Sequence, residues 1–282
     1  MTSGSRSLGS RELALLEAWE ADRVRVVTLD DIEAASPGLS RSSVRSLASR
    51  LKRKGFLSPI GRGVYAVLPL AAMGVEAPDI AARLEALRRR GLRFYLGFDT
   101  AAAHYGWYPD AYGRVTLGIQ SGALPSRRTS DTTVLRAVRA DPSIDAGDLV
   151  QTRWRDVRLP ISSRELTVLD VVRKPAFVDG ISGCLRVLER AGRDPRLDRQ
   201  QLAELASTRP VRLRKRLGWL TEHAGWEWAP AELDLLRHDW PASHRATLVD
   251  SRSSTTPGSW DNRWRLVINV PAHELQAAVG VR

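Results

Sequence analysis

GLSRSSVRSLASRLKRKGFLSPIGRGVYAV, residues 38–67, holds seven basic side chains and no acidic one. The cations are Arg41, Arg45, Arg50, Lys52, Arg53, Lys54 and Arg62. Among them Val44, Leu47, Ala48 and Leu51 recur at i, i+3, i+4 and i+7, the spacing of one buried stripe on an α-helix. Ser40 is placed to cap this helix and Gly55 to end it. The opposite face then carries Ser42, Ser46, Ser49 and Arg53, flanked by Arg45 and Arg50. Two short apolar runs follow, residues 56–60 and 64–67. Gly61-Arg62-Gly63 joins them as a hairpin turn.

Upstream, Ser10 is placed to cap a helix running to about Asp22, with Leu13, Leu16 and Trp19 on one face. Val24, Val26 and Val27 suggest a short extended piece. Thr28 and Asp31 match the capping box of a short helix, and Ser36-Pro37-Gly38 forces a turn. The order helix, helix, turn, helix, hairpin is that of a winged helix-turn-helix. Residues 1–68 are assigned to it.

A helix with a small, hydroxyl-rich and cationic outer face suits a DNA major groove. Small side chains let the backbone approach, serine bonds base edges or phosphate, and arginine bonds guanine bidentately. Base reading falls to Arg41, Ser42, Arg45, Ser46 and Ser49. Phosphate contact falls to Arg50, Arg53 and Lys54, with Arg62 at the wing. A solvated charged face is the plainer alternative, but three features agree on DNA: element order, missing acids and the Gly-Arg-Gly wing.

The whole chain of 282 residues carries a formal charge of +11, which favours a polyanionic partner. Nearly all its basic residues are arginine, which a GC-rich genome also produces. Cys184 is the single cysteine, so no intrachain disulfide forms and a cysteine zinc site is not expected. The first residues, MTSGSRSLGS, lack the apolar core of a signal peptide, and no run approaches a membrane span. A soluble cytoplasmic protein that does not engage a membrane is expected.

Residues 69–79 read as a linker, with Pro69 and Pro78, and residues 80–282 as a larger mixed α/β domain, an α+β chain overall. A helix from Ile80 to about Arg90 opens that domain. Strands are expected at 94–96, 115–119, 134–138 and 149–159. Helices are expected at 166–172, 180–191, 199–206, 211–224 and 231–238. A terminal strand pair, 245–249 and 263–270, flanks a polar loop at 251–260. Arg209, Arg212, Arg214, Lys215 and Arg216 make a possible second basic patch, with Leu213, Leu217 and Leu220 facing inward.

No HExxH, Walker A or GxSxG motif occurs, and His223, His238, His244 and His273 do not pair with one another at metal-ligand spacing. His104 reads as a core or helix-end residue, and Cys184 as a small core residue. Asp170, in the apolar helix LTVLDVV, needs a partner, Arg173 or Lys174. Trp219, Trp226 and Trp228 read as core, with the last two flanking a turn and open to exposure. Neither a catalytic residue nor a cofactor or metal is expected.

The winged helix closes on GRGVYAV, and it is followed by FYLGFDTAAAHYGWYP (94–109), LTVLDVVRKPAFVDGI (166–181), VRLRKRLGWLTEHAG (211–225) and the terminal RWRLVIN. In these segments and their order the chain resembles the AbiEi-type antitoxins of bacterial toxin–antitoxin pairs. It implies a winged helix that binds promoter repeats of its own operon in double-stranded DNA and represses transcription. It also implies a C-terminal antitoxin domain that counteracts a nucleotidyltransferase-type toxin, directly or without a stable complex. Two alternatives stand beside it: a winged-helix regulator with a ligand-sensing C-terminal domain, and a DNA-targeted nuclease.

Overall fold

A computed structural model of the chain describes residues 8–61, 63–70, 80–109, 113–122, 134–155, 157–241, 244–250 and 257–276. It is an α+β protein of two compact units. One comprises Met1–Arg93 with Trp154–Val157, the other Phe94–Arg153 with Arg158–Arg282.

The first unit is a winged helix. Helix α1 (Ser10–Ala21) begins after Gly9, whose N–H is held by Glu12 Oε2 at 3.1 Å. The cap therefore falls on Gly9 and not on Ser10. The buried side of α1 is Glu12, Leu15, Leu16 and Trp19, while Leu13 is 38% exposed, contrary to its expected place in the stripe. Strand β1 (Val26–Thr28) leads into α2 (Leu29–Ala34) through the expected capping box. Thr28 N–H donates to Asp31 Oδ2 at 2.7 Å, and Asp31 N–H donates to Thr28 Oγ1 at 3.1 Å. Helix α3 (Arg41–Arg53) is capped by Ser40 and stops before Gly55, whose φ of +83° only glycine adopts without strain. Strands β2 (Leu57–Gly61) and β3 (Val64–Val67) make the wing hairpin, in a sheet of order β1-β3-β2.

The two faces of this sheet are both used. Val27 and Leu57 pack with the stripes of α1 and α3, together with Ile32 of α2. Val26, Val64 and Ala66 alternate to the other side, where Ala82 and Ala86 of α4 (Ile80–Arg89) meet them. The helix expected to open the second domain thus packs on the sheet of the first. Sequence pattern identified it but not its neighbour, because an apolar stripe does not say which face covers it. Most of the expected linker, residues 71–79, lies outside the described residues.

The second unit is built on a five-stranded sheet of order β6-β5-β4-β8-β7. Its strands are β4 (Arg93–Leu96), β5 (Arg114–Ser121), β6 (Val134–Arg139), β7 (Leu149–Trp154) and β8 (Val157–Ser162). The pairs β5·β6 and β4·β8 are parallel. The stretch read as one strand, 149–159, is two adjacent strands in this sheet. Arg155, at φ +44°, turns the chain between them. Helix α5 (Phe98–His104) follows β4. The remaining helices are α6 (Arg164–Arg173), α7 (Gly180–Gly192), α8 (Arg199–Ser207), α9 (Val211–His223) and α10 (Pro230–Arg237).

A small second sheet has the order β10-β11-β9, with β9 (Ala246–Thr247), β10 (Ser259–Asp261) and β11 (Leu266–Ile268). The expected terminal pair is therefore parallel, β9 with β11. A strand lies inside the segment read as loop, since β10 pairs antiparallel with β11. A short last helix, α11 (Ala272–Gln276), was not expected. The core of this unit gathers Val168, Leu185, Leu188, Leu217, Leu220 and Trp264. Cys184, Trp226 and Trp228 are buried in it, and Trp219 packs at its edge.

Candidate nucleic-acid interface

The turn 36–38 sets α2 against α3. Gly38, at φ +84°, makes the reversal. Ser40 Oγ then accepts from Ser43 N–H at 3.3 Å and lies 2.9 Å from the hydroxyls of Ser42 and Ser43. Four residues of α3 are fully inside: Val44, Leu47, Ala48 and Leu51, each at 1% exposure or less. That stripe fixes the rotation of the helix. Ser42, Arg45, Ser46, Ser49, Arg50, Lys52 and Arg53 are left exposed on it. The expected reading face is thus brought together on one helix.

Acids far away in sequence reach some of its cations. Arg41 pairs with Asp30 at 2.6 Å and with Glu33 of α2. Asp30 and then Glu33 raise the pKa of its guanidinium. Arg50 Nε donates to Glu12 Oε1 at 3.1 Å, and Lys54 pairs with the second Glu12 oxygen. Burial alone would raise the pKa of Glu12. The bonds from Lys54, Gly9 N–H and Arg50 outweigh it and hold that pKa below the usual glutamate range. Arg45 and Arg53 make no ion pair among the described residues. The absence of acids from residues 38–67 therefore overstated the free charge. Arg45 and Arg53 are open cations, while Arg41, Arg50 and Lys54 already hold internal partners.

Sequence reasoning missed Glu12, because its place in an otherwise apolar stripe was passed over. It also missed Lys52, which is exposed in the last turn of α3. A cleft of about 340 Å³ runs beside the helix, lined by Arg11, Glu12, Ser42, Ser43, Ser46 and Arg50, among others. Arg62 lies outside the described residues. Its neighbours Gly61 and Gly63 are described, and Gly63 has φ +69°.

The second expected patch does not form a basic surface. Four of its five residues are buried: Arg209, Arg214, Lys215 and Arg216. Arg209 reaches Asp141 at 3.3 Å and Asp148 at 3.5 Å. Arg214 donates to the carbonyls of Leu236 and His238, at 3.4 and 2.6 Å, and so closes the C-terminus of α10. Lys215 Nζ donates to the carbonyls of His244 at 2.7 Å and Arg265 at 3.3 Å, beneath the ring of Trp240. Arg216 holds Thr247 O at 2.8 Å and Asp250 at 3.1 Å. Arg212 alone is exposed, paired with Asp250 at 3.0 Å. The leucine stripe marked one buried side of α9, but α10 and β9 cover the other side as well.

Asp170 sits where expected, fully buried with Arg173 Nη2 at 2.9 Å, and it has a partner not foreseen, Tyr95 O–H at 2.9 Å. Burial lifts its pKa to about 6 against the opposing pull of Arg173. His104 ends α5. Among the described residues, no three His, Cys, Asp or Glu side chains are grouped to hold a metal ion. No helix among them is long and apolar enough to cross a membrane.

Residues 15–68 match the family model described as transcriptional regulator, AbiEi antitoxin. The match runs from the middle of α1 to just past the wing hairpin. Over the whole chain, the crystal structure of the Rv2827c protein from Mycobacterium tuberculosis is similar, with a TM-score of 0.68 and 20% sequence identity. The alignment covers 98% of this chain and 97% of that one, a likeness of fold. No curated protein matches the chain.

Proposed function

We propose that this chain is a DNA-binding antitoxin. Its winged helix represses its own operon, and its second unit counteracts a nucleotidyltransferase-type toxin. The observation that carries the DNA half is the exposed face of α3, within residues that match an AbiEi antitoxin regulator. Ser42, Ser46 and Ser49 keep the face low enough for a groove to close on it. Arg45, without an internal acid, is the side chain free to bond a guanine edge. Arg53 meets phosphate. Arg50 and Lys54 exchange part of their hold on Glu12 for phosphate oxygens, so they position more than they attract. The antitoxin half rests on the resemblance alone. The burial of the α9 cations removes a basic helix face as its means of contact.

The test is a reporter driven by the promoter of this chain's own operon, with the adjacent gene expressed separately as the toxin. Wild type is expected to repress and to protect. The full-length R45A variant is expected to lose repression and keep protection, because Arg45 lies outside the core of either unit. Repression by R45A equal to wild type contradicts the assignment of α3.

A further inference from the structure

The winged helix carries a helix that its sequence pattern did not give it, and that helix ends in cations. Residues 88–93 read RRRGLR, and Arg88, Arg90 and Arg93 are exposed. Helix α4 is fixed to the rest of the unit in two ways. Ala82 and Ala86 pack on Val26, Val64 and Ala66 of the sheet. Arg89 Nη1 pairs with Asp31 Oδ2 at 2.5 Å, and Asp31 is the residue that closes the capping box of α2. Glu85, one turn earlier on α4, holds the same guanidinium at 3.2 Å. The C-terminus of α4 is thus pinned to the first helix of the helix-turn-helix.

The next residue is set at the wing. The Cδ and Nη1 atoms of Arg90 lie 3.2 Å from the point that a Cβ on Gly61 would occupy, and Nε lies 3.5 Å from it. Gly61 is the last residue of β2, immediately before the hairpin turn. The guanidinium therefore lies across the wing strand where glycine leaves room. Arg90 has no ion pair among the described residues, in contrast to Arg89 beside it.

We infer that Arg90, in the turn that follows α4, is part of the DNA-contacting surface, placed beside the wing to meet a backbone phosphate. The inference rests on the winged helix being a DNA-binding module and adds to it a contact outside residues 38–67. A guanidinium already laid against Gly61 loses less freedom on binding than a fully extended one, and its charge has no internal acid to leave. Arg89, by contrast, is spent on Asp31 and Glu85. A phosphate contact carries no base information, so Arg90 contributes affinity and register equally on any sequence.

The test compares full-length wild type, R90A, R90K and R45A on DNA from upstream of the gene and on random DNA, each across a salt series. R90A is expected to weaken binding several-fold on both DNAs and to lower the slope of log affinity against log salt by about one. R90K is expected to restore that slope, because a lysine supplies the charge. R45A is expected to lose preference for the upstream DNA. R90A with wild-type affinity and slope, while R45A weakens binding, overturns the role of Arg90 and leaves the winged-helix reading intact. Indifference to both R45A and R90A overturns the two together.

Discussion

Two buried carboxylates show how differently one residue type behaves here. Glu12 accepts from Arg50, Lys54 and a backbone N–H, and its pKa is lowered. Asp170 accepts from Arg173 and Tyr95 in the core of the second unit, and its pKa is raised to about 6. The signs of their contributions to stability are opposite. Glu12 stabilises the fold above the ordinary glutamate pKa, and acidification through its lowered pKa removes that contribution. Asp170 binds its proton more tightly folded than unfolded, so its contribution falls as pH rises from about 4 to about 6. Asp170→Asn, which stays neutral throughout, should therefore gain on wild type between pH 4 and pH 7, by on the order of 3 kcal/mol. Unfolding by denaturant at those two pH values measures this. A stability difference that does not change with pH would show that Asp170 stays ionised in the fold at pH 4. The partner of Asp170 was half legible in sequence, since Arg173 lies one helical turn away. Tyr95 was not, because only the sheet brings it there.

At the level of elements, the close approaches are made by glycine. A Cβ on Gly118 of β5 would fall 2.1 Å from Cζ of Tyr95, the ring that delivers a hydroxyl to Asp170. Gly118→Ala is expected to cost about 3 kcal/mol or more, since ring and strand must part. Thermal unfolding reads it, and a variant as stable as wild type would mean that the ring moves freely. Apart from the short α5 and α11, the helices of this chain were legible because each has an apolar stripe of period 3.6 and a cap or glycine stop. The exceptions lie where a second layer intervenes. Arg214, Lys215 and Arg216 read as an outer face because nothing local says that α10 and β9 lie over them. Strand β10 was hidden in a polar segment, because its pairing with β11 comes from chain return and not from composition.

For the whole molecule, the division of the chain decides what belongs to the winged-helix unit. The sequence placed a boundary at residues 69–79, and the contacts place α4 with the wing sheet. Without α4, Val26, Val64 and Ala66 lose their cover. A fragment of residues 1–93 is therefore expected to be more stable than one of residues 1–70, by roughly 2–4 kcal/mol. Equal denaturation midpoints for the two would make α4 an ornament of the winged helix. Helix α3, its buried stripe and the wing hairpin were legible from the thirty contiguous residues 38–67, and α1, β1 and α2 from the residues before them. The acids that quiet Arg41, Arg50 and Lys54 were not, because they come from α1 and α2 and reach α3 only in the fold.

The proposed DNA contact lies on the outer face of α3, where Arg45 is exposed and makes no ion pair among the described residues. The most direct measurement is binding of full-length protein to DNA from upstream of its gene and to random DNA of equal length, from low to moderate salt, for wild type and Arg45→Ala. The expected result is a preference for the upstream DNA, an affinity that falls steeply with salt, and loss of the preference in the variant. Equal, weak binding of wild type to both DNAs, unchanged in the variant, would contradict it.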